Sequence, residues 1–94
     1  MASHFARWTL VQTKAQVHRL PLQLVEHSAS LAERRRRRYL AARTLLAELM
    51  LRVYGIPQLP DIRLAEGGRP CFSNPDLPDF SISYAGNVVG VLLA

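Results

Sequence analysis

The sequence is short of the residues that carry most familiar chemistry. It has one cysteine, Cys71, in 94 residues, which excludes an internal disulfide and fits a reducing compartment. His4, His18 and His27 lack the spacing of zinc ligands, and Cys71 has no cysteine partner to help them. A buried, inert thiol is the expected state of Cys71. Only seven carboxylates are present: Glu26, Glu33, Glu48, Asp61, Glu66, Asp76 and Asp79. No two stand in the Asp-x-Asp or Asp-x-Glu spacing that holds Mg²⁺ between phosphates. Asp76 and Asp79 flank a proline and read as turn residues. No apolar run approaches the 18 or so residues of a membrane span, so no membrane partner is expected.

Lysine is almost missing as well, and arginine takes its place. Eleven of the twelve basic residues are arginine, and the net charge is +5. Arginine favours planar, two-pronged recognition of phosphate or carboxylate. Five of the arginines, Arg34 to Arg38, are consecutive and open the stretch that organises the chain, SLAERRRRRYLAARTLLAELMLRVYG from Ser30 to Gly55. Ser30 and Glu33 form an S-x-x-E capping box, and Gly55 followed by Pro57 marks the stop. Tyr39, Ala42, Leu46, Leu49, Met50 and Val53 recur at threes and fours and share one apolar stripe. Leu46, Leu49 and Val53 are expected to pack on a sheet made by the first strand and the last two.

The arginine run sits at the positive end of the helix dipole, where anions are preferred. Arg34 and Arg38 form a like-charged i,i+4 pair, which Glu33 offsets only in part by pairing with Arg36 or Arg37. At about 100° per residue, Arg36 and Arg43 share a flank beside the apolar stripe. Arg35 falls within the stripe's own arc, so its head must reach past the core or meet an anion. Two readings are open at this point. Either the run is a solvated, basic helix start, or two or three of these arginines join Arg43 around a phosphate-bearing ligand.

Around the helix, Phe5 to Gln12 alternates as a strand with Ala6, Trp8 and Leu10 on one face. Residues 13 to 20 read as weakly structured, and Pro21 permits a short helix to about His27. Asp61 to Leu64 is a short strand. Glu66-Gly67-Gly68-Arg69-Pro70 is a tight turn with glycines free to take positive φ, and Cys71-Phe72 resumes the strand. Asn74 to Asp79 is loop. Phe80 to Tyr84 and Val88 to Leu93 are strands joined at Gly86-Asn87. The order gives one α+β domain over residues 1–94, a long helix packed on a small, mainly antiparallel sheet. The apolar run Val88 to Leu93 is followed by one residue only, so its edge is expected to seek a neighbour. That reads as a chain that has been cut, or as one whose 88–93 strand pairs with a C-terminal half or a second subunit.

R-x-x-x-L-x-A-R-x-L-L on a helix, then D-I-R-x-x-x-x-G-[KR]-P, then F-x-[IL]-S-x-x-G resembles the N-terminal half of the 4′-phosphopantetheinyl transferases. The likeness is to the larger, surfactin-type and holo-acyl-carrier-protein-synthase-2-like group, and it covers Leu31 to Ala94. The resemblance implies one half of a pseudo-dimer of two α+β halves, with coenzyme A as donor substrate in the cleft between them. It implies transfer of phosphopantetheine to a serine of an acyl or peptidyl carrier protein. It places Arg43 and Thr44 near the coenzyme's nucleotide end, with Arg36 on the same flank as Arg43. Arg69 and Pro70 match the Gly-Lys-Pro turn whose cation meets the 3′-phosphate. Ser83 matches the serine of an Asn-x-Ser-His-Ser motif. Tyr84 stands where that motif has its phosphate-binding histidine, while Ser81 and Ala85 replace the asparagine and the second serine. Weak coenzyme A binding is therefore expected where Arg43, Arg69 and the strand end at Ser83 converge.

The family's metal-binding Asp-x-Glu and its Lys-Glu helix motif have no match in these 94 residues. No catalytic or metal-binding residue is assigned, Mg²⁺ enters only if a C-terminal half supplies ligands, and the chain alone is expected to be inactive. A different reading makes the chain a small basic module that docks its Arg34–Arg38 helix on nucleic acid phosphates. Aromatic interleaving there is thin, with only Tyr39 adjacent. A third makes it an assembly partner that acts through the 88–93 strand. The first 25 residues carry Arg7, Lys14 and Arg19 and no acid, as transit peptides do. FARWTLVQ nevertheless alternates as a strand, and the cytoplasm is the expected compartment.

Overall fold

In the computed structural model, residues 4–9 and 20–93 are described. The elements are β1 (His4–Thr9), α1 (Leu22–Ser28), α2 (Glu33–Tyr54), β2 (Ile62–Leu64), β3 (Pro70–Phe72), β4 (Phe80–Ala85) and β5 (Val88–Leu93). β1, β5 and β4 form one antiparallel sheet in that order. The fold is α+β, with α2 laid against β5 and β1. Period-two alternation in β5 explains the packing. Val89, Val91 and Leu93 have no exposed surface and meet Leu46 and Met50, which have none either. Each such side chain contributes about 1.5–3 kcal/mol by leaving water.

β2 and β3 make a separate two-stranded sheet rather than extending the first. A 3₁₀ turn at Glu66–Gly68 joins them, with both Gly67 and Gly68 at positive φ. Phe72 of this hairpin stacks, tilted, on Phe80 of β4 at 4.8 Å between ring centres. That contact ties the small sheet to the start of β4. Cys71 is buried.

Three expectations need correction. The first concerns the start of α2. Helix α2 begins at Glu33 with Ala32 as its N-cap and no side-chain cap. The Ser30 hydroxyl instead donates to the His27 carbonyl at 2.7 Å. It adds a second bond to a carbonyl at the end of α1 that already accepts the Ser30 N–H, and the capping box does not form. The second concerns the stripe. Leu40, Ala41, Thr44, Leu45 and Ala47 are buried along with Ala42, Leu46 and Met50, while Leu49 and Val53 remain partly exposed. The helix is covered over a wider arc because α1 and the main sheet both close on it.

The third concerns β5. Both its edges are occupied, by β1 on one side and β4 on the other. Its ladder leaves no room for a second subunit or a further half at residues 88–93. Chain order misled here, because a terminal strand can be inserted in the middle of a sheet. The end of α2 follows the sequence. Gly55 takes the left-handed conformation, φ 69° and ψ 21°. This lets its N–H reach the Leu51 carbonyl at 2.9 Å and the Ile56 N–H reach that of Met50 at 3.3 Å.

The expected facing of Ala6, Trp8 and Leu10 lies outside the described residues, as does residues 13–19 of the stretch expected to be weakly structured. Among the described residues no helix is long and apolar enough to cross a membrane.

Candidate functional site

The first half of α2 and the far end of β4 enclose a cleft of about 280 Å³, lined by Leu31, Arg35, Arg38, Tyr39, Arg43 and Tyr84. Helical spacing puts Arg35, Tyr39 and Arg43 on one ridge, four residues apart. Strand alternation supplies the opposite wall. Phe80, Ile82 and Tyr84 face the helix side of the sheet, the first two reaching the core, and Tyr84 is left at the rim.

Two of the guanidinium groups are fixed in place. Arg43 lies over the Tyr39 ring with its central carbon 3.8 Å from the ring centre, a close cation–π contact. Tyr39 is buttressed in turn by His27, whose ring sits 5.4 Å away and tilted. Arg38 donates from Nη2 to the Gly86 carbonyl at 3.2 Å. Its central carbon is 6.0 Å from the centre of the Tyr84 ring. Gly86 reaches φ 58° in the β4–β5 turn, a conformation that is strained for a residue with a Cβ. That turn is what aims the carbonyl at the helix.

These contacts leave donors over. The Nε atoms of Arg38 and Arg43 are both buried, and neither has a hydrogen-bond partner among the described residues. A buried donor on a charged group that finds no acceptor costs more than a neutral one, which itself costs about 1–3 kcal/mol. Among the described residues no carboxylate pairs with either arginine. Glu33 pairs with Arg37, Glu48 with Arg52, and Asp79 with Arg69. The cleft is a cationic, aromatic-walled pocket to which the described residues supply no anion.

No family model matches the chain. Over 93 residues, 99% of its length, the chain is 50% identical to the uncharacterized protein YieE of Escherichia coli strain K12. The YieE protein of Escherichia coli O6:H1 matches at the same 50% identity over the same 93 residues. The chain spans 37% of the length of these curated relatives. Neither name states a ligand or a reaction.

Of the residues singled out in the sequence, Arg43 and Tyr84 line the cleft. Arg36 shares Arg43's flank but lies two turns away and stands exposed, outside the lining. Thr44 is 2% exposed and turns inward from the cleft, its Oγ1 buried without a partner. Ser83 is exposed on the opposite face of the sheet from Tyr84. Arg69 donates to the Asp79 carboxylate at 3.2 Å and to the Phe80 carbonyl at 3.4 Å. Pro70 opens β3 opposite Leu64. Phe80 is four residues along β4 from Tyr84, about 13 Å at strand rise. Arg43, Arg69 and Ser83 therefore do not converge on one point.

Arg35 joins the cleft, which its place in the apolar arc foreshadows. Arg38 belongs to the run from which two or three arginines are expected to join Arg43, but its spacing does not single it out. Its anchor, Gly86, is 48 positions away in the chain, and no local spacing announces such a bond. Among the described residues no three His, Cys, Asp or Glu side chains gather as they would around a metal ion. Those residues do not fit Mg²⁺.

Proposed function

We propose that this chain is the coenzyme A-binding half of a 4′-phosphopantetheinyl transferase-like protein, which presents the donor for transfer to a carrier-protein serine. The observation that carries the reading is the pair of arginines, Arg38 and Arg43, that line an aromatic cleft and whose buried Nε donors have no acceptor among the described residues. Coenzyme A offers a matching set: a 3′-phosphate, a pyrophosphate and a flat base. Guanidinium–phosphate bonds are charge-assisted and stronger than neutral ones. Tyr39 and Tyr84 supply faces against which a ring can stack. The order of motifs from Leu31 to Ala94 points to the same family. The greater length of the YieE relatives supports a protein with a further half, to which the catalytic carboxylates would belong.

On this reading the chain binds and orients the donor, and other groups do the chemistry. The developing charge on the leaving oxygens needs positioned cations, and the serine needs a base. Among the described residues only the first requirement has candidates. Calorimetry with coenzyme A at low ionic strength tests the proposal. Binding that weakens as salt rises is the expected result, since the contacts are charge on charge. Incubation with coenzyme A, Mg²⁺ and apo carrier proteins should give no mass gain of one phosphopantetheine arm, and activity should appear only when a C-terminal half is added. No coenzyme A binding, or tighter binding to a DNA duplex of equal phosphate concentration, overturns the reading. The latter outcome would favour the nucleic acid module, for which the exposed Arg34, Arg36 and Arg37 would be the contacts.

A further inference from the structure

We infer that Arg38 and Arg43 form a two-guanidinium seat for a phosphate or pyrophosphate group, that Arg38 is a binding residue in its own right, and that Arg69 takes no part. This rests on the coenzyme A proposal only for the identity of the natural ligand. The seat itself stands on geometry.

Each arginine is held by one part of its guanidinium and unpaired at another. Arg38 is fixed through Nη2 by the Gly86 carbonyl, and Arg43 through its π face by Tyr39. In both, the buried Nε is the donor left without an acceptor. Five residues of α-helix separate them, about 7.5 Å of rise, and long side chains close that distance readily. Two like charges drawn toward one partly enclosed cleft repel each other. Their anchors hold them there against that repulsion, and an anion between them relieves it.

The fork geometry matters as much as the charge. Nε–H and one Nη–H of a guanidinium lie parallel and meet two oxygens of one phosphate. On Arg38 that edge pairs Nε with Nη2, which gives one of its two hydrogens to the Gly86 carbonyl; its second hydrogen and the unpartnered Nε–H remain. Arg69 is different in kind. Its guanidinium faces a carboxylate and a carbonyl already, and the Asp79 charge at 3.2 Å repels an incoming phosphate. Its position at the Phe80 end of β4 also puts it a strand length from the cleft. Tyr84 cannot supply a charge, and the cation beside it is Arg38.

The test uses the 94-residue chain labelled with ¹⁵N and titrated with sodium pyrophosphate at low salt. The arginine Nε–Hε cross-peaks are assigned by their loss in Arg38→Lys, Arg43→Lys and Arg69→Lys. Saturating shifts at Arg38 and Arg43, with Arg69 unmoved, are the expected result. Unmoved cross-peaks at Arg38 and Arg43, or equal and non-saturating shifts across Arg34 to Arg38, overturn the seat. Arg38→Lys keeps the charge and removes the fork, and should weaken pyrophosphate binding about fivefold to tenfold. Arg69→Ala should change it less than about twofold; a loss equal to that of Arg38→Lys overturns the assignment. Titration with coenzyme A separates the two proposals. A seat that takes pyrophosphate but not coenzyme A leaves this inference standing and ends the transferase reading. Coenzyme A binding that moves Arg69 and leaves Arg38 in place does the reverse.

Discussion

The cleft beside α2 and the turn between β2 and β3 both present arginine near a backbone bent by glycine, yet they are opposite in state. Arg69 is closed on itself by Asp79 and the Phe80 carbonyl. Arg38 and Arg43 are held by a carbonyl and an aromatic ring and keep buried donors to spare. With seven carboxylates against twelve basic residues, at least five basic side chains lack an acidic partner of their own. Only those that are also half-buried have a reason to seek a ligand, since water satisfies the rest. Position relative to the acids, more than the number of arginines, marks the site.

The largest effect on this contrast comes from removing the support that both regions share. Leu46 has no exposed surface and lies under the sheet. Leu46→Ala should cost about 2–5 kcal/mol, out of roughly 5–14 kcal/mol for a domain of this size. Urea denaturation is the measurement. Leu49 is only partly buried, and Leu49→Ala should cost clearly less. Equal losses at the two positions would mean that the helix sits rotated from the arrangement described.

Next in size is the removal of the cleft's own cation. Arg38→Ala should lower pyrophosphate affinity about tenfold or more while leaving the urea midpoint nearly unchanged. A stability loss with unaltered affinity would make Arg38 a strut for the β4–β5 turn and nothing else. A smaller change, on the other side of the contrast, comes from Asp79→Ala. The Arg69–Asp79 pair is more than half exposed, 53% and 66% for the two side chains, and such pairs contribute about 0–1 kcal/mol. Loss of that carboxylate should leave the fold intact and free Arg69. A pyrophosphate-induced shift at the Arg69 Nε–Hε should then appear where the unaltered chain has none. If none appears, charge pairing is not what separates the two regions.

Periodicity and punctuation carried most of the fold. The stop at Gly55, the loop at Asn74–Asp79 and the bounds of β5 follow from residues whose backbone preferences are local. Strand order did not follow, because it depends on which edges meet, and Val88–Leu93 looks the same in the middle of a sheet as at its margin. The site divides the same way. Arg43 and Arg35 are legible because helix geometry relates them to the apolar stripe. Arg38 is not, since Gly86 and Tyr84 reach it only through the fold. Motif resemblance placed Ser83 and Tyr84 side by side, and strand alternation puts them on opposite faces.

The smallest predicted effect is at Ser30, next to Leu31 on the cleft's rim. If Ser30 capped α2, its loss would cost about 0.5–2 kcal/mol and would loosen the turn that carries Arg35. Its hydroxyl bonds the His27 carbonyl instead, in an exposed position. The Arg36 N–H already reaches the Ala32 carbonyl at 2.8 Å, so the helix starts without help from Ser30. Ser30→Ala should therefore shift stability by no more than about 0.5 kcal/mol, the lower end of a typical hydrogen bond's contribution. Pyrophosphate affinity should stay within about twofold, because neither Arg38 nor Arg43 leans on that turn. A loss above about 1 kcal/mol, accompanied by a change in the Glu33 amide on replacement, would show that the capping box forms after all. In that case the first turn of α2 would start earlier, Arg35 would be held more firmly, and three guanidinium groups rather than two would belong to the seat.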